Sequence, residues 1–596
     1  MCVMNAWPEG RHRLTAWWVA GPVAVPLGLV VLAVACGKAS GNGSVFVGDA
    51  GLGADHSPVQ TSPDGNLSLA GDGGTAEGGP TTVYEPTGPV TDFPTPVFDG
   101  NAPTNAPTLF GPAGQGATSG GPCITEPSSD ALFPQNWLRP IFEFTPTTGE
   151  NLFELRLHVA NQNDDLVVYT TNTSWTIPKA MWDLLRTDSP TEAMTLSIRG
   201  GAYDGTTLQN EASGSSEPMG IAPVQATGSI VYWTPTGTSA LMGFSVGDES
   251  VVQVLVPSQV SEQTTTCIGC HASTPGGEYT AIGMSASNGW PDGLALTAPD
   301  AGTVGATPPY LGAGGSAALA LYNEGISAFS PAHWATGDRR EIVGYDDQGS
   351  STDILTWIDV EATSLATATG TIARNGDPSS AAAPAWSHDG NTIAYVSTNK
   401  FCDGRLGAGC DGQTYNGPSD PGSIADIYTV PYAAGAGGTA TPLPGASSPS
   451  AQEYYPTFSP DDAWIAYDVA PNDLNMYNQS QAELYVIPAK GGAGTRLAAN
   501  DPPACSGVSS PGVTNSWPKW GPTALQANGN TYYWLIFSST RADGGSPQLY
   551  MTGIVVDGSG TPQTHGAVYL WNQPAAQHNH TPAWDTFKLP PVPVAQ

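Results

Sequence analysis

Positive charge is scarce in this chain. Lys and Arg number 18 against 52 Asp and Glu in 596 residues, a formal net charge of -34. Such a surface repels phosphate backbones, which excludes nucleic acid as a partner. Charged residues of both signs make up only 12%, so the acidity reflects missing Lys and Arg and not acidic blocks; it reads as a solubilising surface. Long apolar runs are also missing, because nothing after residue 36 approaches the roughly eighteen apolar residues that a membrane span needs. There is no G-x-S-x-G elbow, no H-E-x-x-H and no phosphate loop, so no hydrolase or nucleotide chemistry is written in the chain. Cysteine is sparse too, at eight residues, and this makes the placement of each one informative.

What is present begins with an export signal. Arg11, His12 and Arg13 precede an apolar run from Leu14 to Ala35 that ends in AVAC, the charged-then-apolar order of a secretory segment. Ala35, Cys36 and Gly37 resemble the lipobox of bacterial lipoproteins, in which the cysteine becomes the lipidated first residue, although Ala33 departs from the usual Leu. Residues 1–36 are therefore expected to be a signal peptide with lipidation at Cys36. Plain cleavage and an uncleaved anchor are the alternatives. Gly37 in place of Asp leans, by that resemblance, toward the outer membrane.

Residues 37–130 are rich in Gly, Pro, Ser, Thr and Ala with almost no apolar periodicity, and such a segment cannot bury enough surface to offset its ordering entropy. It is expected to be a disordered tether. Residues 131–262 then carry short alternating runs such as FELRLHV (153–159), LVVYTT (166–171), MTLSIRG (194–200), SIVYWT (229–234) and VVQVLVP (251–257). Alternation bounded by Gly, Pro, Asn and Asp predicts strands, with one short helix at KAMWDLL (179–185). Seven or so strands suit a β-sandwich. IFEFTP followed by LFELRLHV loosely resembles the opening of a fibronectin type III or immunoglobulin-like domain.

From residue 263 to 596 the chain repeats itself. SAFSP (327–331), PAWSHDGNTIAYVS (384–397), YPTFSPDDAWIAYDV (455–469), WPKWGP (517–522) and TPAWD (581–585) share Pro, an aromatic and a small or acidic turn residue before a strand. Ser330, Ser387, Ser459, Gly521 and Asp585 occupy equivalent places, 57, 72, 62 and 64 residues apart. A four-strand repeat of that period predicts propeller blades. The sequence P-x-W-S-x-D-G-x-x-I-A-Y, read at Pro384 to Tyr395 and in variant form at Pro456 to Tyr467, resembles the repeat of TolB-like propellers. The expected fold is thus all-β: an immunoglobulin- or fibronectin-like sandwich followed by a TolB-like propeller of about five to six blades. Trp386, Phe458, Trp520 and Trp584 are expected to pack between blades, and Asp389 to form a turn.

At the start of the repeats stands TTTCIGCHASTPGG (264–277). Cys267 and Cys270 are expected one helical turn apart, so that both thiols can reach the vinyl groups on one porphyrin edge, with His271 beneath the iron; this is the covalent c-type haem arrangement. A zinc site would need a second ligand pair, and a thioredoxin-like dithiol would open a helix after a strand, whereas the flanks here read as loop, turn and strand. A disulfide between residues this close is the weakest alternative. Ser273 lies 57 residues before Ser330, which puts the motif in the first blade. A single C-x-x-C-H opening such a propeller resembles a group of exported bacterial haem proteins, many of them lipoproteins, and more distantly the haem-bearing propeller of the hydrazine synthase alpha subunit. The resemblance implies haem c but carries over no reaction.

For the second axial position Met284 is nearest in sequence, while His333, His578, His580 and Tyr279 are further candidates. Each has a structural alternative, since a lone Met on a strand is more often core. Cys402 and Cys410 flank a short insert and are expected to form a disulfide in an oxidising compartment; Cys123 and Cys505 are left to pair by elimination. Asp403, Asp411 and Asp420 in the same insert are candidates for Ca²⁺, without the pattern of an EF-hand. The expected role is an exported mono-haem electron carrier serving a periplasmic or surface redox partner. The alternatives are a TolB-like envelope interaction module without redox chemistry and a haem oxidoreductase acting on a small molecule.

Overall fold

Strand-forming residues and turn residues alternate so regularly that the chain folds as a succession of short antiparallel meanders. The computed structural model describes residues 92–591 except 236–238, 261–264, 287–290, 300–304, 322–326, 346–352, 400–423, 475 and 543–544. The fold is all-β, with many small sheets and few, short helices. The expected signal peptide, residues 37–91 of the expected tether over 37–130, and Cys36, Cys402, Cys410, Asp403, Asp411 and Asp420 lie outside the described residues.

The first part is a six-stranded sheet in the order Val97–Asp99, Leu166–Thr170, Leu152–Val159, Met194–Tyr203, Leu208–Ile221 and Ala131–Phe133, beside a three-stranded sheet of Cys123–Glu126, Ile141–Thr145 and Ser174–Thr176. Both edge strands of the larger sheet pair in parallel, unlike the antiparallel sheets of an immunoglobulin sandwich. The expected helix forms at Lys179–Asp188 and buries Trp182 and Leu185.

SIVYWT and VVQVLVP do not join that sheet. Ser229–Thr234, Ala240–Ser245 and Val252–Leu255 form a separate four-stranded sheet whose fourth member is His580–Asp585, near the other end of the chain. Ile230 pairs with Trp584 and Val231 with Ala583. No local pattern encodes a pairing of this sequence separation.

Five further meanders follow among the described residues. They begin at Thr265–Ser273, at the bridge between Ala328 and Ile342, and at Ser380–Trp386, Ala451–Phe458 and Ser516–Trp520. The first strands of successive sheets pack on one another. Buried Tyr232, Tyr395, Tyr467 and Trp534 fill the layers between sheets. A shared core joins the six-stranded sheet to the repeats: Trp137 meets Trp584 with ring centroids 5.5 Å apart. A Cys123–Cys505 disulfide ties the same two parts covalently, the pairing expected by elimination.

Candidate functional site

The C-x-x-C-H lies on a strand and not on a helical turn. Thr265–Ser273 pairs antiparallel with Thr280–Ala286, because the β-branched run at Thr264–Thr266 and the alternation of Ile268, His271 and Ser273 toward the interior suit a pleat better than a helix. The register shifts between Gly269 and His271. Cys270 is the extra residue of that bulge, in the left-handed region at φ 40°.

The same device recurs in three other first strands and in His580–Asp585. Register shifts set Ala383 and Pro384 opposite Tyr395, Tyr455 and Pro456 opposite Tyr467, Trp517 and Pro518 opposite Phe537, and Thr581 and Pro582 opposite Tyr232. In each pair the residue before the proline has positive φ: 44° at Ala383, 52° at Tyr455, 61° at Trp517 and 46° at Thr581. Cys270 therefore occupies the bulge position and His271 the position of the proline. The turn beyond confirms the alignment. Thr274 N–H donates to the Tyr279 carbonyl at 2.9 Å, as Ser387 does to Thr392 and Ser459 to Trp464 at 2.9 and 2.8 Å. Thr274, and not Ser273, is thus the equivalent of Ser387, one residue from the register that equal spacing to Ser330 implies. Strain repeated at equivalent non-glycine residues is a designed feature of such sheets.

His271 is buried. Its Nε2–H donates to the Val231 carbonyl at 3.1 Å, and its Nδ1 has no hydrogen-bond partner. Burial pushes its pKa down to about 4, with the Lys519 charge adding to the shift, so the ring is neutral at pH 7. A neutral imidazole with one nitrogen fixed by a carbonyl leaves its other nitrogen as a lone-pair donor. Cys267 is half-buried, disulfide-bonded, and 3.6 Å from the Ser239 hydroxyl. That hydroxyl donates to the Ile268 carbonyl at 2.8 Å and accepts from Trp233 Nε1 at 2.9 Å.

The other candidates separate clearly. His580 is buried, with its ring 4.8 Å from Trp233, Nε2 3.5 Å from the Tyr477 hydroxyl, and Nδ1 unpartnered. Burial holds its pKa near 3, and His578 and His271 contribute in the same direction. His271 and His580 thus lie within electrostatic reach of each other. Met284 pairs with Ile268 across the sheet and belongs to an apolar cluster with Val231 and Trp233. His333 spends Nδ1 on Asp338 at 2.9 Å and Nε2 on the Gly390 carbonyl at 3.1 Å, and its ring stacks on Trp386 at 4.8 Å. Tyr279 meets Tyr310 edge-on. Among the described residues no group of three His, Cys, Asp or Glu side chains is arranged to hold a metal ion by itself.

The donor set fits a covalently attached haem in one respect: a neutral, buried histidine with an uncommitted nitrogen adjoins two cysteines. In another respect it resists one. The extended strand separates the cysteines along the sheet edge, and the disulfide at Cys267 must be reduced before a thioether can form.

Sequence reasoning passed over Lys519 and Asp468. Lys519 follows the Trp517-Pro518 bulge. Asp468 is fully buried and accepts a hydrogen bond from the Ser516 hydroxyl. The recurrent X-Pro before the aromatic was the available signal.

No protein-family profile and no curated protein sequence matches the chain. Weak structural similarity is found to propeller-like solved structures. Hydrazine synthase of Kuenenia stuttgartiensis matches at TM-score 0.23 and 12% identity, over 47% of this chain and 74% of that one. A puromycin hydrolase matches at 0.30 and 12%, over 62% of this chain and 51% of its own. A prolyl endopeptidase matches at 0.29 and 10%, over 58% and 48%. The chain thus spans about half the length of the two peptidase-type structures, and TM-scores of this size carry no argument about its chemistry.

Proposed function

We propose that this chain is an exported, lipid-anchored mono-haem c-type protein, with haem attached at Cys267 and Cys270 and His271 as an iron ligand. The motif would sit in one blade of a six-bladed propeller whose last blade is completed by the C-terminal strand His580–Asp585. The observation that carries the reading is the His271 imidazole: buried, neutral, fixed through Nε2 and uncommitted at Nδ1. His580 is the favoured second protein ligand, because its Nδ1 is likewise unpartnered, whereas both nitrogens of His333 are engaged. A bound haem supplies one-electron exchange. The chain's own contribution is a water-poor setting, a fixed histidine tautomer and a broad surface on which a periplasmic or surface redox partner can dock.

The test is expression with a cytochrome c maturation system, read by haem-stained denaturing gel and pyridine haemochrome spectrum. One covalent haem per chain is expected, absent in Cys267→Ala. A folded, exported chain without haem overturns the reading. Labelling with radioactive palmitate, lost in Cys36→Ala, tests the anchor.

A second reading, a haem-free binding propeller of the cell envelope, is favoured by one specific observation: Cys267 lies on an extended strand and its thiol is already held in a disulfide. The same haem stain separates the two.

A further inference from the structure

The Cys123–Cys505 disulfide joins two unlike environments. Cys123 is 9% exposed on the strand Cys123–Glu126, where it pairs with Thr145. Cys505 is exposed, in a short 3₁₀ turn over Ala504–Ser506 that buries none of its three residues. That turn lies in the connection from Thr495–Arg496 to Ser516–Trp520, and no residue from 502 to 512 belongs to a strand. Approach from solvent is therefore from the Cys505 side, on a segment that no ladder holds. Access of this kind governs which sulfur of a disulfide a thiol attacks.

The surroundings also suit the reduced pair. The Ile124 carbonyl lies 3.7 Å from Cys123 Sγ and 3.8 Å from Cys505 Sγ, so an acceptor with two lone pairs is in place for both thiol S–H groups. The strand keeps other bonds to the repeats. Tyr569 N–H donates to the Glu126 carboxylate at 3.2 Å and Ser128 N–H to the Ala567 carbonyl at 3.4 Å, and Ile124 and Phe144 share a core with Leu549 and Val568. Reduction thus frees the loop over 502–512 without parting the two halves of the molecule. A link whose loss unfolds a chain is a staple; one whose loss releases only a loop is a switch.

We propose that Cys505 is a thiol-exchange site at which an external dithiol reversibly opens the link to Cys123 and releases the 502–512 loop. A thiolate of the dithiol attacks Cys505 Sγ, the bond to Cys123 breaks, and Cys123 leaves as a thiolate that takes up a proton. The second thiol of the reductant then attacks its own sulfur in the mixed disulfide. Cys505 leaves and is protonated, and the reductant departs as its cyclic disulfide. Two electrons and two protons pass from the dithiol to the chain. Neither cysteine belongs to the C-x-x-C-H segment, so this proposal and the haem reading fail independently.

The experiment treats the full chain under native conditions with dithiothreitol or with glutathione, quenches by alkylation, and maps the products by peptide mass spectrometry, which reads Cys123 and Cys505 apart from Cys267. Circular dichroism follows the fold. With dithiothreitol both cysteines are expected to become alkylatable while the far-UV spectrum and a cooperative melt are retained, and reoxidation restores the link. Glutathione, a monothiol, is expected to leave its adduct on Cys505 at least tenfold more often than on Cys123. Cys123→Ser is expected to keep Cys505 reactive in the folded chain, and Cys505→Ser to leave Cys123 unreactive until the chain is denatured. A link that resists dithiothreitol until the chain melts, an adduct mainly on Cys123, or loss of the native spectrum on reduction overturns the proposal. If either variant does not fold, the adduct distribution on the wild type decides alone.

Discussion

The first strands at Thr265–Ser273 and Ser380–Trp386 are built on one plan and used differently. Both carry a left-handed bulge residue, Cys270 and Ala383, and both close into a turn through a small hydroxyl residue, Thr274 and Ser387. Between those points the second strand has Pro384 and Trp386 where the first has His271 and Ser273. The proline and the large aromatic of the repeat are both absent where the cysteines stand, while the backbone device is present. The motif strand thus shares the backbone device but lacks the packing side chains that Ser380–Trp386 carries.

The largest expected effect is on that packing. Trp386 is buried against Ile342, Ile393 and Tyr432, and its indole N–H donates to the Gly390 carbonyl at 3.0 Å. Trp386→Ala should cost about 3–5 kcal/mol, the range for emptying a buried aromatic site. The equivalent Ser273→Ala should cost under about 1 kcal/mol, since its hydroxyl reaches only the neighbouring Thr274 carbonyl. Denaturant melts of the two variants check the difference. Equal losses would mean that the motif strand is as tightly specified as its relatives.

Much of this plan could be read from the sequence. The strands of the repeats, the helix at Lys179–Asp188 and the Cys123–Cys505 link follow from alternation, helical residues and cysteine arithmetic. The strand His580–Asp585 was legible as TPAWD, but its partner Ser229–Thr234 was not, because local periodicity carries no information on which distant edge a strand will meet. The motif itself misled in one respect. C-x-x-C-H implies a helical turn, yet the Thr-rich, alternating flanks belong to a strand, and burial of Ile268, His271 and Ser273 decided the matter. The Thr274 register was hidden because the repeats differ in length, so that equal spacing aligned the wrong residue.

A middle-sized effect concerns the substitution at the proline position. His271→Pro restores the residue that the other bulges carry. It removes the hydrogen bond to the Val231 carbonyl, worth about 1 kcal/mol, but reduces the entropy of the unfolded chain by a similar amount. Stability should therefore stay within about 1 kcal/mol of the wild type, while the haem spectrum of matured protein should lose its histidine ligation. A collapse in melting temperature would break the equivalence between His271 and Pro384.

The smallest effect tests the bulge. A non-glycine residue in the left-handed region costs about 1–2 kcal/mol, and glycine removes that strain at an entropic cost of about 0.5–1 kcal/mol. Ala383→Gly should therefore be neutral or stabilising by up to about 1 kcal/mol. Ala394→Gly, one strand away in the same sheet and fully buried at an ordinary strand position, has no strain to release and should lose about 1 kcal/mol. Opposite signs from the same chemical change, measured at Ala383 and Ala394, would show that the bulge stores strain. Cys270→Gly, compared in the reduced, haem-free chain, should then follow Ala383, because its backbone is held in the same region. If Cys270→Gly instead loses stability like Ala394→Gly, the cysteine side chain contributes packing that Ala383 does not, and the two strands share a backbone path without sharing its energetics.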